Sequence, residues 1–137
     1  MRRLLLIAAL SAIALPAVEL PGFWMGSVAS GRRNQVTDFA FQFTQKGSEL
    51  GGKMYLDYGT VPILKGVVEG EKISFEVVAR EQAGNEIHEA VYKFTGVMKD
   101  DEIELTRERQ ELRNSVNAAV GVTRQNTPLT VKIKRLR

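Results

Sequence analysis

One ten-residue pattern occurs twice in the chain, as GVVEGEKISF at residues 66–75 and as GVMKDDEIEL at residues 96–105. Each copy enters with a glycine, carries Gly or Asp at its centre, and then alternates apolar with polar residues. Alternation with a period of two is typical of a half-buried strand, and Gly and Asp favour the tight turn of a hairpin. Each copy therefore predicts a strand, a tight turn and a second, antiparallel strand.

The same alternation on both sides of the repeat predicts further strands. Phe39, Phe41 and Phe43 alternate with small or polar residues, and the period recurs at residues 50–56 and 129–134. Roughly seven or eight short strands without a convincing long helix predict an all-β fold. Tight sequential turns favour an up-and-down order over a Greek key. The expected architecture is therefore a single antiparallel up-and-down barrel of about eight strands.

The first residues have the pattern of a secretory signal peptide. A positively charged start precedes an apolar run at residues 4–15, and the small residue Ala17 follows. The run is shorter than the roughly 20 residues of a permanent transmembrane helix. Residues 1–17 are expected to be cleaved after Ala17, with cleavage after Ala14 and an uncleaved anchor as the alternatives. Residues 18–137 are then a single β-barrel domain of an exported protein, periplasmic or extracellular.

The charge of this mature part is close to neutral. Loss of Arg2 and Arg3 with the signal peptide lowers the count of Lys and Arg from 19 to 17, against 16 Asp and Glu, so the net charge is about +1. A nearly neutral domain lacks the electrostatic footprint of a nucleic-acid-binding protein. Neither a nucleic-acid partner nor a stable membrane span after cleavage is expected. The expected partner is a small molecule or a protein, bound by a monomer or a weak dimer.

The residue types present point away from most catalytic chemistry. The chain has one histidine and no cysteine, which excludes thiol nucleophiles, disulfides and His-rich metal sites. It contains neither a Gly-x-Ser-x-Gly nucleophile elbow nor a phosphate-binding or dinucleotide-binding glycine motif. No catalytic residue, metal or cofactor is therefore expected, and the expected function is that of a non-enzymatic binding or accessory module.

Several of these features together resemble a known family. They are the Gly22-x-Trp24 motif, residues 39–50 with their Lys-Gly-Ser-Glu turn, the two glycine phrases, and residues 130–135. In this combination the chain resembles the small exported bacterial β-domains that occur alone or appended to larger secreted proteins. Its layout is also similar to avidin-like and lipocalin-like barrels, which implies a fold but no particular activity. Residues 109–126 depart from the family's usual Gly-rich loop and are open between a short helix and a long hairpin with an irregular tip, of which the hairpin is favoured.

One end of the barrel is the expected ligand site, and a break in the repeat points to it. The exit strand of the first copy continues apolar through Val77, whereas that of the second runs from Leu105 into Arg107. An arginine in phase with apolar residues is costly to bury unless it is paired. Arg107 and Arg135 therefore either clamp a carboxylate or sulfate ligand or tie a barrel end shut. His88, on an inward face, either contacts a ligand or is a hydrogen-bonded core or rim residue. The candidate ligand-binding residues are Trp24, Tyr55, His88, Tyr92 and Arg107.

The side chains expected to face inward are large, so the interior is predicted to be filled, with at most a shallow mouth. One alternative is a carrier that holds a small hydrophobic molecule in a lumenal pocket. The other is a small secreted hydrolase, whose glycosidase form requires two carboxylates that face a common cleft. The inward-facing set comprises Trp24, Phe39, Phe41, Phe43, Met54, Leu56, Phe75, Tyr92, Phe94, Ile103 and Leu105.

Overall fold

Nine β-strands and no helix make up the part of the chain that the computed structural model describes, which is residues 19–31, 33–111 and 128–136. The expected signal peptide, residues 1–17, lies outside the described residues. So does most of the stretch that the sequence left open between a helix and a hairpin, residues 112–127. The strands are β1 (Gly22–Ser30), β2 (Gln35–Lys46), β3 (Glu49–Leu56), β4 (Gly59–Pro62), β5 (Leu64–Glu69), β6 (Lys72–Ala83), β7 (Glu86–Lys99), β8 (Glu102–Glu111) and β9 (Leu129–Arg135).

Eight of the nine strands close into an antiparallel barrel. In the order β2-β1-β9-β8-β7-β6-β5-β3 each strand is hydrogen-bonded to the next, and the pairing of β2 with β3 completes the ring. Most pairs join strands that are also neighbours in sequence, which is the up-and-down pattern. The prediction of a single antiparallel up-and-down barrel of about eight strands is confirmed.

The additional strand, β4, arises where the barrel wall is interrupted. β4 pairs with the second half of β3, and β5 pairs with its first half. Between them the Ile63 N–H donates to the Gly52 carbonyl at 3.0 Å, and Lys65 adopts a φ of +50°. Pro62 has no N–H to donate to a ladder and ends β4. The turn between β3 and β4 lies at residues 57–58, and β4 begins at Gly59.

Both copies of the repeated stretch form the predicted hairpins, β5–β6 and β7–β8. The first residue of each two-residue turn has a positive φ, +57° at Gly70 and +59° at Asp100. Glycine adopts this conformation freely, and Asp is one of the few other residues that tolerate it. The entry glycines serve different purposes. A Cβ on Gly66 would collide with the backbone carbonyl oxygen of Leu50, whereas one on Gly96 would meet only apolar side chains.

The barrel interior is filled by contacting aromatic rings. The Phe41 ring stacks on Phe43 with 5.3 Å between centroids and meets Phe75 and Phe94 edge-on at 5.5 Å each. Phe75 and Phe94 stack on each other at 4.8 Å. Each fully buried phenylalanine contributes roughly 1.5–3 kcal/mol to stability. The inward-facing set predicted from the sequence is buried, apart from Leu56 and Tyr92, which are half-buried and pack against the core.

The two ends of the barrel differ in what they carry. At the end that we call the closed end lie the turns at residues 47–48, 70–71 and 100–101, together with the segment that leads into β1. At the opposite end, which we call the polar end, lie the turns at residues 57–58 and 84–85. β8 ends and β9 begins at the polar end as well.

Candidate functional site

The closed end is sealed by a short segment that precedes β1. Leu20 and Trp24 are both fully buried, and the Trp24 indole N–H donates to the Leu20 carbonyl at 2.9 Å. The Arg135 guanidinium lies over the indole ring at 4.9 Å and donates to the Pro21 carbonyl at 2.9 Å. Its Nε also lies 4.0 Å from a carboxylate oxygen of Asp101. Of the two roles that the sequence allowed for Arg135, the structure shows the one that ties a barrel end shut.

The polar end has charged and hydroxyl-bearing side chains inside the barrel. On β8 the buried residues Ile103 and Leu105 are followed in the same phase by Arg107 and Arg109. On β6 the inward face of Ile73, Phe75, Val77 and Ala79 leads in the same way to Glu81. The strand register then brings these faces together, because Glu81 pairs with His88 across β6 and β7, and Tyr92 pairs with Arg109 across β7 and β8.

A three-residue network links Glu81, Arg109 and Tyr92. The Arg109 Nε lies 2.8 Å from Oε1 and 2.9 Å from Oε2 of Glu81, and its Nη2 contacts Oε2 as well. The Tyr92 hydroxyl donates to Glu81 Oε1. Both charged side chains are largely buried, with exposed fractions of 14% for Arg109 and 17% for Glu81. Such a charge-assisted pair holds both side chains in place and satisfies the carboxylate.

The Tyr92 hydroxyl has a perturbed acidity. Burial first, and then the hydrogen bond to Glu81 and its negative charge, raise the pKa of Tyr92 from 10.0 to about 12, against the opposing effect of Arg107 and Arg109. A raised folded-state pKa contributes stability below the unfolded pKa and loses it as the pH rises through the folded one.

We therefore expect the free energy of unfolding to fall more steeply in the wild type than in Tyr92→Phe as the pH rises from about 10 to about 12. Urea unfolding followed by circular dichroism across this window measures the difference. Parallel pH profiles for the two proteins would contradict the assigned pKa.

Arg107 occupies a different environment from Arg109. Its guanidinium carbon lies 4.8 Å from the Tyr92 ring centroid and 5.6 Å from that of Phe39, so aromatic rings contact the cation. Within the described part of the chain no hydrogen bond or ion pair reaches the Arg107 guanidinium. His88 lies nearer the rim, where its Nε2 is 3.2 Å from a carboxylate oxygen of Glu86.

Three of the five candidate residues from the sequence lie together, and two do not. His88, Tyr92 and Arg107 share the polar end of the lumen. Trp24 belongs to the seal of the closed end, because it stands near the start of β1. Tyr55 faces outward, since it follows the buried Met54 and side chains of a strand alternate between faces.

On the outer surface Tyr55 packs beside polar and apolar neighbours. Its ring centroid lies 6.4 Å from that of Phe23, and the Lys53 ammonium is 5.5 Å from the ring. Its hydroxyl is 3.5 Å from the side-chain oxygen of Gln42. Tyr55 is therefore part of the outer wall and has no access to the lumen.

Glu81 and Arg109 are not among the residues predicted from the sequence, although the strand pattern places both on inward faces. Arg109 continues the inward phase of Ile103, Leu105 and Arg107, and Glu81 continues that of the β6 core residues. Counting residues outward from the two hairpin turns fixes the register, and it places Arg109 opposite Tyr92. The turn positions therefore predict the cross-strand neighbours, but not the ion pair itself, because β7 lies between Glu81 on β6 and Arg109 on β8.

Two concavities lie outside the lumen. One, of about 450 Å³, crosses the outer face of β5 to β8, where Ser74, Thr95 and Thr106 form a hydroxyl-bearing row. The other, of about 400 Å³, lies between β4 and β6, and Tyr58 and Arg80 line it. The Tyr58 hydroxyl accepts a hydrogen bond from the Arg80 backbone N–H at 2.7 Å, which bridges the interruption in the wall.

Metal-ligating side chains are not clustered in the described residues, where no group of three or more His, Cys, Asp or Glu is placed to hold a metal ion. The same residues include no helix long and apolar enough to cross a membrane. No family model, no curated protein and no solved structure matches the chain. The chemistry of the lumen is thus the basis for a functional assignment.

Proposed function

We propose that the chain is an exported, non-enzymatic binding module, and that its ligand is a small molecule that enters the polar end of the barrel. The observation that carries the proposal is the asymmetry of the two ends. Leu20, Trp24 and Arg135 seal one end with buried apolar surface and backbone hydrogen bonds. At the other end polar groups inside the barrel remain partly exposed, as the 32% exposed side chain of His88 illustrates.

A small number of converging polar groups is one feature of small-molecule sites, and the polar end has such a group of side chains. At the polar end these groups are held by strands rather than by turns, because Glu81, Tyr92 and Arg107 all lie within β6, β7 and β8. The Glu81–Arg109 pair further fixes the position of Tyr92 through its hydroxyl. A rigid, partly hydrated site of this kind supports binding with little ordering cost.

Export is the second component of the proposal. It is supported by the positively charged start and the apolar run at residues 4–15. The chain has no cysteine, so an exported domain would have to be stable without disulfides. The aromatic core supplies that stability. Export can be tested by expressing the full chain in a secreting host and measuring the intact mass of the exported protein. The expected result is the loss of residues 1–17.

The alternative of a carrier for a small hydrophobic molecule requires an apolar cavity. The middle of the barrel is where such a molecule would bind, and Phe41, Phe75 and Phe94 occupy that space in mutual contact. A carrier would have to displace these rings, which are fully buried and stabilise the fold. This packing favours a ligand held at the mouth over one enclosed in the lumen.

The alternative of a hydrolase requires two carboxylates free to act as acid and base. At the polar end Glu81 is held in a bidentate pair with Arg109, and Glu86 is 57% exposed at the rim beside His88. Glu76, by contrast, lies on the outer face within reach of Lys65 and Lys93. A carboxylate engaged with an arginine is a poor general acid, so this arrangement favours binding over hydrolysis.

Native mass spectrometry of protein purified without denaturation separates the proposal from the carrier alternative. We expect the mature chain without a stoichiometric apolar ligand, because a ligand at a shallow polar mouth dissociates during purification. A lipid or other apolar molecule retained at one copy per chain would contradict the proposal. Denatured protein from the same preparation is the control that gives the mass of the chain alone.

A further inference from the structure

Arg107 differs from Arg109 and Arg135, which lie at the polar end and the closed end of the barrel. Arg109 is paired with Glu81, and Arg135 donates to the Pro21 carbonyl at the closed end. The Arg107 guanidinium contacts only the rings of Tyr92 and Phe39, and within the described residues it has no acceptor for its N–H groups. It is half-buried, and none of its nitrogen atoms is among the buried atoms without a partner, so the guanidinium remains accessible from the polar end.

An arginine cannot relieve this situation by losing its proton, because the guanidinium stays charged at every physiological pH. A partly buried cation without an anion is unfavourable, and the approach of an anion removes the cost. Arg107, Arg109 and Glu81 together carry one net positive charge. Glu81 neutralises Arg109, so within the described residues Arg107 is left without a paired carboxylate.

The geometry points to a carboxylate as that charge. Aromatic rings contact the Arg107 guanidinium at 4.8 and 5.6 Å, and the planar N–H edge of a guanidinium matches the two oxygens of a carboxylate. A dianion such as phosphate is less well suited, because the Glu81 carboxylate lies close by on Tyr92.

The surroundings of Arg107 also indicate the rest of the ligand. Across β9 its register partner is Leu129, and across β7 it is the buried Phe94. Leu129 is partly buried and packs against the core. We propose that Arg107 binds the carboxylate of a small monocarboxylic acid with an aromatic or aliphatic body. This inference rests on the proposed function of the polar end as a ligand site.

Isothermal titration calorimetry on the mature domain, residues 18–137, tests the inference with two matched pairs of probes. The pairs are benzoate with benzamide and hexanoate with hexanamide, each of which differs mainly in charge. We expect at least one carboxylate to bind, with an affinity of roughly millimolar order for so small a probe, and its amide to bind at least about tenfold more weakly. Inorganic phosphate is expected to compete poorly.

Three variants assign the binding to Arg107. Arg107→Gln is expected to weaken carboxylate binding at least about tenfold. Arg107→Lys is expected to keep part of the affinity, since lysine retains the charge but lacks the bidentate N–H donors of the guanidinium. The matched control is Arg80→Gln, which removes the same charge from an exposed side chain on β6. Urea unfolding shows whether each variant is folded, and Arg107→Lys keeps the test informative if Arg107→Gln is not.

The possible failures are distinguishable. If the amides bind as well as the acids and Arg107→Gln has no effect, the polar end remains a ligand site but the carboxylate assignment is wrong. If phosphate competes as well as benzoate, the site is a general anion site and the monocarboxylate assignment is wrong. If neither carboxylate binds at all, the inference is overturned, and the native mass spectrum still tests the proposed function separately.

Discussion

Phe41→Ala is expected to lower the free energy of unfolding by about 3–5 kcal/mol, among the largest effects of any single substitution in this protein. Phe41 is fully buried and touches three other rings, those of Phe43, Phe75 and Phe94. Removal of its ring takes away buried apolar surface and leaves a cavity in the middle of the barrel. Neighbouring rings stand on separate strands whose positions the closed sheet fixes, so they collapse only partly into the space.

Urea unfolding at neutral pH measures this effect. The matched control is Val36→Ala on the same strand, where the side chain is 65% exposed, and a change within about 0.5 kcal/mol is expected. If Phe41→Ala proved as mild as Val36→Ala, the interior would not be a packed core. The carrier alternative would then gain the room that it requires.

Trp24→Ala is expected to cost about 3–5 kcal/mol and to unseal the closed end. The indole is fully buried, and its ring centroid lies 6.4 Å from that of Phe43. The Arg135 guanidinium carbon lies 4.9 Å from the centroid of the indole ring. Its N–H also ties down the segment before β1 through the Leu20 carbonyl. The substitution therefore removes packing, a cation–π contact and a hydrogen bond at once.

Trp24→Phe separates these contributions, because it keeps an aromatic ring and deletes the N–H donor. Trp24→Phe is expected to lower the free energy of unfolding less than Trp24→Ala, because it keeps most of the packing. About 0.5–1.5 kcal/mol of its effect would come from the lost hydrogen bond. Amide hydrogen exchange at Leu136, whose N–H donates to the Phe23 carbonyl next to Trp24, reports the state of the closed end, and faster exchange is expected in both variants. Unchanged exchange and stability in Trp24→Ala would show that the closed end is not sealed in this way.

The strand pattern of this protein could be predicted because most of its strands are half-buried. Phe39, Phe41 and Phe43 alternate with residues that face water, and a period of two in the sequence therefore translates directly into two faces of a strand. The interruption between β4 and β5 was not predictable in the same way. It depends on the positive φ of Lys65 and on how closely β5 approaches β3. Neither feature produces a periodic pattern in the sequence.

The candidate site could be predicted only in part. The alternation along a strand shows whether a side chain faces inward or outward, but not at which end of the barrel it lies. Arg107 and Trp24 both lie on inward faces, and the sequence analysis grouped them although they stand at opposite ends of the barrel. The end follows from the direction of each strand, which the number of preceding turns determines. Tyr55 was a different error, since its own strand phase already places it outside.

Ion pairing was harder still to anticipate. Arg107 and Arg109 have the same phase on the same strand, yet one meets Glu81 and the other meets two rings. The difference depends on which residues the neighbouring strands bring opposite each arginine, and hence on register. It is also the difference on which the ligand proposal depends.

Mapping where small molecules bind distinguishes a barrel with one sealed end and one ligand-binding end from other arrangements. Amide and indole chemical shifts of isotope-labelled residues 18–137 would be recorded while benzoate and a set of neutral fragments are added. We expect shifts that cluster at the polar end, at Ala90, Tyr92 and Arg107, with the Trp24 indole N–H unmoved. Shifts at Trp24, shifts confined to the outer groove around Thr95, or no shifts with any probe would contradict this expectation.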